Sequence, residues 1–311
     1  MIENFVTVFD KNFLPQGLSL YDSLEKNLSN FNLWVLCIDS ETKKILKKIN
    51  KKNIKILSIE DYENDTLKRL KKIRTMAEYC WTLTPIAPKI VFAQNEEIQR
   101  VTYLDADMFF FKKPEEVFNE FFESKKSILI TEHDFDDDHM HKEKTSGKYI
   151  VQFIIFERNR SEKIRDWWEK KCIEKCSSDS NELLVGDQAY INDWDTRFKD
   201  EVHILKNNEL FRSTWNSKKL KLPKLIAWHF HGLRIINKNL VLMHTERNLS
   251  EDILLQIYIP YLKILEKNLK SIDTQIYQLN MKNSILMKFL LKLNLFLIEK
   301  KLIKNKRYFI F

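Results

Sequence analysis

The sequence predicts an α/β fold built on a mostly parallel sheet covered by helices. Strand-like and helix-like segments alternate through the first half of the chain. Acids cluster where strand-like runs end, which is where sheets of this class bind ligands. The 311 residues are 44% hydrophobic, with only 4 Gly and 6 Pro. That is enough to bury one large domain, or one domain and an appendage, with no flexible linker between them.

Residues 5–9 (FVTVF) are β-branched and aromatic, as in a buried strand. Leu18–Leu28 repeats apolar residues at helical spacing. Residues 33–38 (LWVLCI) read as strand, 41–50 as helix and 54–59 (IKILSI) as strand. A helical region follows at 66–95, broken by Pro85 and Pro88 because proline removes a backbone donor and clashes with the preceding turn. Val101–Leu104 is a strand that ends in acids, Pro114 opens a short helix, and 127–131 (SILIT) is a further strand. After residue 245 the pattern is helical, giving an expected catalytic domain at 1–247 and a helical, basic extension at 248–311. Within the extension, Ile257, Tyr258, Tyr261 and Leu265 share one face and are expected to pack on the body.

The formal net charge is +8, but it is unevenly placed. Residues 281–311 hold eight basic side chains against the single acid Glu299, so the remainder is close to neutral. This distribution argues for an anionic surface as partner and against a nucleic-acid-coated protein. Residues 284–298 carry a broad apolar face (Leu286, Phe289, Leu290, Leu293, Phe296, Leu297) with Lys288 and Lys292 opposite. They are too few to span a bilayer, which takes about 20 residues, and suit a helix lying among headgroups. The N-terminus has no basic-then-apolar leader, so a cytoplasmic protein on the inner face of the membrane is expected. The cysteines, Cys37, Cys80, Cys172 and Cys176, imply no disulfide framework or zinc site.

Three motifs carry chemistry. The first is Asp105-Ala106-Asp107, directly after a buried strand. Side chains two apart in extended chain point the same way, so the carboxylates repel unless a cation lies between them. A hard divalent ion suits them and leaves positions open for phosphate oxygens, whereas the bland alternative is a solvated turn. The second is His229-Phe230-His231-Gly232. One imidazole could complete the metal shell, with manganese or magnesium as the ion; the alternative is one core and one surface histidine. His229 is the first choice and His231 the second. Gly232 permits close backbone approach to a phosphate. The third is Gly186-Asp187-Gln188, which could bond sugar hydroxyls or simply cap a helix. The acidic run 134–141 (DFDDDHMH) fails as an EF-hand, having His139 and Thr145 where Gly and Glu are required.

Together these motifs resemble the family-8 glycosyltransferases, which have the GT-A fold and include bacterial lipooligosaccharide galactosyltransferases. The order matches over about residues 1–235. Phe9-Asp10-Lys11-Asn12, followed by the helix from Gly17, is similar to the family's nucleobase-holding segment. Tyr103–Met108 resembles its metal motif, Gly186-Asp187-Gln188 its Asp-Gln pair, and His229-x-x-Gly232 its metal-binding His-x-x-Gly. The resemblance implies a UDP-sugar donor, metal ligation by Asp105, Asp107 and His229, and contact with the donor by Phe9, Asp10, Asn12 and Ala106. It also implies transfer of a hexose with retention, with Gln188 beside the anomeric carbon and Asp187 orienting the sugar. His133 and Asp134 are assigned to the acceptor, expected to be a lipooligosaccharide, capsular or lipid-linked glycan.

The chain departs from that pattern. Ile235, Ile236 and Asn237 stand where the family has Lys-Pro-Trp, leaving Arg234 or Lys238 as candidates for the missing cation, and Arg74 only roughly echoes a family arginine. The Asn-x-Gly of the sugar-facing strand is absent from Tyr149–Phe156. An inverting sister family is the alternative, with Asp134 or Asp187 as base. A catalytically dead, membrane-bound scaffold and a sugar-1-phosphate nucleotidyltransferase are the more distant rivals; the latter lacks its glycine-rich loop at 10–17. A homo-oligomer is left open.

Overall fold

A computed structural model describes residues 2–179, 185–244, 249–273 and 308–311. The strands are β1 (Glu3–Phe9), β2 (Phe31–Cys37), β3 (Ile54–Ser58), β4 (Arg100–Leu104), β5 (Met108–Phe110), β6 (Ile128–Glu132), β7 (Tyr149–Glu157), β8 (Val202–Ile204), β9 (Phe211–Arg212), β10 (Ala227–His229), β11 (Arg234–Asn237), β12 (Leu240–Leu242) and β13 (Tyr308–Ile310). The helices are α1 (Leu14–Asn27), α2 (Ser40–Ile49), α3 (Asp65–Ile73), α4 (Met76–Leu83), α5 (Ile86–Gln94), α6 (Glu115–Ser124), the single turn α7 (Glu143–Ser146), α8 (Glu162–Glu174), the single turn α9 (Trp194–Arg197), α10 (Glu251–Ile253) and α11 (Ile259–Lys270).

The main sheet runs β3-β2-β1-β4-β7-β6-β8. Only β7 is antiparallel to its neighbours β4 and β6; the other pairings are parallel. Alternation along β1 explains the layering. Phe5 and Phe9 join a core with α1, α6 and α11, while Val6 and Val8 join one with α3, α4, α5 and α8. A sheet covered on both faces needs apolar side chains on both, hence strands that read as near-continuous apolar runs.

The helical region expected at 66–95 resolves into α3, α4 and α5. Pro85 precedes α5, as its missing donor dictates, whereas Pro88 does not break the chain: it lies in the first turn of α5, where a backbone donor would have no intrahelical partner. The earlier break lies at Arg74-Thr75, where Thr75 and Glu78 form a reciprocal capping box. Asp39 caps α2 through the Thr42 amide at 2.7 Å, and Asn64 caps α3 through the Leu67 amide at 2.9 Å.

A small sheet, β5-β10-β9, stands beside the carboxyl end of β4. Against it pack the residues expected on one face of the C-terminal helix: Ile257, Tyr258, Tyr261 and Leu265 are all buried. The Tyr261 ring stacks on Phe230 at 3.7 Å and meets Phe109 edge-on at 5.4 Å. Offset and edge-on pairs of this kind add about 0.5–1.5 kcal/mol beyond burial. Pro260 lies just after a widened helical turn, Leu254–Tyr258, so its ring is accommodated without ending the helix. Farther on, the extension departs from the helical expectation: Tyr308–Ile310, an aromatic and β-branched run, forms β13 and adds to β12, pairing Leu240 with Ile310. The expected boundary at 247/248 and the basic segment 281–307 lie outside the described residues. Among the described residues, no helix is long and apolar enough to cross a membrane.

Candidate functional site

The chain turns sharply at the carboxyl end of β4. The Met108 amide donates to Asp105 O at 3.1 Å, and β5 then leaves antiparallel to β10. The register sets His229 opposite Met108, and the Phe230 amide donates to Asp107 O at 2.9 Å. His229 thus converges on the Asp105 and Asp107 pair from more than a hundred residues away. His229 Nε2 lies 3.0 Å from Asp107 Oδ1 and 3.7 Å from Asp105 Oδ2. One ligand-type atom from each of Asp105, Asp107 and His229 falls within 4.8 Å of the others. His231 stands outside this group, with its ring 5.6 Å from that of His229.

The charges show why the cluster suits a cation. Burial pushes the Asp105 carboxyl up to about 6; the neighbouring His229 opposes that rise and Asp107 adds to it. Burial acts on Asp107 in the same sense, but the His229 imidazolium beside it outweighs that and holds it at about 2. His229 in turn is held above its ordinary range: burial disfavours its charge, and Asp107 more than compensates. The two carboxylates thus favour positive charge between them, and a proton on His229 offsets only one of them. A divalent cation could take that place, using two carboxylate oxygens and one imidazole nitrogen, a set that manganese accepts.

Several surrounding groups hold these ligands. The Tyr103 hydroxyl donates to Asp105 Oδ1 at 3.1 Å. The His229 Nδ1–H donates to Gln152 Oε1 at 3.0 Å, and Ser213 Oγ donates to His229 O at 2.7 Å. The turn after β9 also reaches the far wall: Trp215 Nε1 and Asn216 Nδ2 both donate to His133 O, at 3.0 and 2.8 Å. The Trp215 ring lies edge-on to His133, His229 and His231 at 5.4, 5.5 and 5.6 Å. Sequence reasoning missed Gln152, Ser213, Trp215 and Asn216. Only Gln152 carried a signal, as the amide in the apolar strand YIVQFIIF.

The segment after β1 forms a polar turn at the same sheet edge. Asp10 Oδ1 accepts the Asn12 amide at 3.0 Å, and Asp10 Oδ2 accepts the Asn12 side-chain amide at 2.9 Å. The Phe9 ring is buried against Gly17, where any Cβ would collide with it. Arg234 is the candidate cation beside the cluster, its charge helping to keep Asp107 ionised. Arg74 instead clasps α4 to the end of α8, donating to Thr82 Oγ1 and to the carbonyls of Cys172 (2.7 Å) and Ile173 (2.8 Å). Lys238 lies in the β11–β12 turn, where its charge acts on Asp273. Gly232 (φ 83°) and Gly186 (φ 69°) occupy the left-handed region that favours glycine.

Asp187 does not cap its short helix through its side chain. It is buried, and that burial pushes its carboxyl up to about 7. Trp168 Nε1 fixes its backbone, donating to Asp187 O at 3.0 Å. Gln188 Nε2 donates to Ser146 O at 2.5 Å and lies 3.5 Å from His133 Nε2. His133 is buried and stacks on Phe135 at 4.6 Å. Asp134, at φ 48°, is engaged by Arg212 (2.9 Å) and Lys219 (2.7 Å). Within the rest of the acidic run, Asp136 accepts from His139 and Asp138 pairs with Lys218.

No family model matches the chain. The uncharacterized protein YfnF of Bacillus subtilis strain 168 is 30% identical over 257 residues, covering 77% of this chain and 84% of YfnF. The chain belongs to the YfnF family. Among solved structures, the galactosyltransferase LgtC in complex with donor and acceptor sugar analogs aligns with TM-score 0.54 at 11% identity. That alignment covers 87% of this chain and 96% of LgtC. Mouse xyloside xylosyltransferase 1 in its apo form aligns with TM-score 0.51 at 12% identity, covering 74% of this chain and 98% of its own. At such identities the likeness concerns fold. This YfnF-family chain has the GT-A fold expected from its motifs, with the Asp105–Asp107–His229 cluster beside the carboxyl end of β4.

Proposed function

We propose that this YfnF-family chain is a metal-dependent glycosyltransferase that moves a hexose from a UDP-sugar to a surface-glycan or lipid-linked acceptor. The observation that carries this reading is the convergence of Asp105, Asp107 and His229 on a GT-A framework. Manganese is the first choice of ion and magnesium the second. When bound, it would supply positive charge for the departing diphosphate. Arg234 adds a fixed charge on the same side, and the Gly232 backbone lets a phosphate approach closely. Asp10 and Asn12, with the backbone at Phe9 and Ala106, form the nucleoside end of the site.

In this reading Gln188 and Asp187 face the sugar, and His133 and Asp134 border the acceptor. Catalysis then rests on positioning and on charge already in place rather than on a strong nucleophile. The ion pairs around Asp134 occupy both its oxygens, which weighs against Asp134 as a general base. Asp187 is then the base that the inverting alternative would use, while retention, with attack on the leaving-group face, follows the family resemblance. Residues 1–247 would be the catalytic domain and 248–311 the extension. Calorimetric titration with UDP, with and without manganese, tests the reading. Binding should require the ion, and a protein that binds neither is a scaffold instead.

The acceptor reading includes an anionic membrane surface on the inner face of the cytoplasmic membrane, reached through residues 281–311. Its support is the sequence: eight basic residues beside an apolar face. Each basic side chain near such a surface contributes about 1 kcal/mol, and the attraction falls with salt. Co-sedimentation with anionic vesicles should therefore be strong at low salt, weak at high salt, and lost on deleting 281–311. Equal binding by the deleted protein refutes the assignment.

A further inference from the structure

We propose that Gln152 is a positioning residue that holds both ends of the metal centre: Asp105 through its backbone and His229 through its side chain. The inference rests on the metal-site reading above and deepens it. Gln152 sits in β7, antiparallel to β4, where Leu104 pairs with Phe153. That register places the Gln152 carbonyl against the residue that follows β4, and the Asp105 amide donates to it at 3.1 Å. The side chain leaves from the same residue and accepts the His229 Nδ1–H at 3.0 Å. Gln152 is 3% exposed and His229 4%, so water does not compete for this bond.

The chemistry of imidazole makes this consequential. A neutral ring carries one proton, and the partner of one nitrogen decides which nitrogen keeps its lone pair. Gln152 Oε1 can only accept, so it keeps the proton on Nδ1. Nε2, which faces Asp107 at 3.0 Å and Asp105 at 3.7 Å, is then free to donate its lone pair to an ion. The bond also fixes the plane of the ring. A carboxylate on Nδ1 does the same with a charge; Gln152 does it without adding a further negative group to a cluster that already holds two carboxylates.

Replacing such an outer partner typically costs about 10–100-fold in metal affinity. Gln152→Leu keeps the bulk and the backbone bond to Asp105 but removes the acceptor. Gln152→Glu keeps the acceptor. Manganese binding without nucleotide, followed by electron paramagnetic resonance, is the readout, with Asp107→Asn and His229→Ala as controls. Pulsed measurement of nitrogen coupling to the bound ion adds a signature that general loosening of the core does not reproduce. The native protein should show histidine nitrogen coupling, and His229→Ala should lose it. Gln152→Leu should bind roughly 10–100-fold more weakly with reduced coupling, and Gln152→Glu should restore both. Native affinity and coupling in Gln152→Leu overturn the positioning role while leaving the metal site standing. Failure of the native protein to bind manganese, or full binding by Asp107→Asn, overturns the metal-site reading itself. Equal weakening by Gln152→Leu and Gln152→Glu with unchanged coupling also counts against the proposal, since it points to packing rather than the Nδ1 bond.

Discussion

Asp107→Asn should abolish manganese-dependent UDP binding and leave the fold intact. Asparagine matches aspartate in shape, and the Asp107 carbonyl still accepts the Phe230 amide, so the β5–β10 junction persists. What disappears is the charge that sits 3.0 Å from His229 Nε2 and resists protonation because of that neighbour. An amide oxygen is a weaker ligand for a hard divalent ion than a carboxylate. The loss should exceed the roughly 10–100-fold typical of an outer partner, because a direct ligand is changed. Calorimetry with UDP and manganese gives the affinity, and a thermal melt confirms folding. Unchanged affinity would sink the assignment. His229→Ala should act alike, whereas His231→Ala should act weakly, since His231 stands outside the three-ligand cluster.

The parallel part of the sheet was legible because its strands are buried on both faces and therefore read as apolar runs of the right length. The Asp105-Ala106-Asp107 pair was legible for a related reason: acids rarely follow a buried strand without a ligand or partner. Other parts were hidden by the nature of their signals. The break at Thr75 depends on a capping box, Thr75 with Glu78, inside an otherwise continuous helical pattern. The antiparallel direction of β7 leaves no mark on a strand that is apolar on both faces. Gln152, Ser213 and Asn216 act through side-chain hydrogen bonds to residues 77, 16 and 83 positions away, contacts that tertiary pairing alone creates. The candidate cations show the same limit. Composition supplied Arg74, Arg234 and Lys238 equally, and only the fold distinguishes a helix clasp, a neighbour of Asp107 and a turn residue.

Gln188→Ala should lower turnover by roughly 10²–10³-fold, the scale of losing one polar group aimed at the reacting centre, with UDP affinity little changed. The amide hangs from Ser146 O at 2.5 Å and lies 3.5 Å from His133 Nε2. Its backbone neighbour is anchored independently, because Trp168 Nε1 donates to Asp187 O. The Trp81 ring lies against Gly186, which fixes the entry to the same turn. Truncation therefore removes one side chain without moving Asp105, Asp107 or His229. If the amide meets the sugar only as the glycosidic bond breaks, its loss lowers kcat and kcat/KM together. Steady-state kinetics on the UDP-sugar, alongside calorimetry with UDP, separates the alternatives. A large fall in UDP affinity with normal turnover at saturation would place Gln188 on the nucleotide instead. Full activity would remove it from the site and leave Asp187, with its carboxyl raised to about 7 by burial, as the polar group to examine at the sugar.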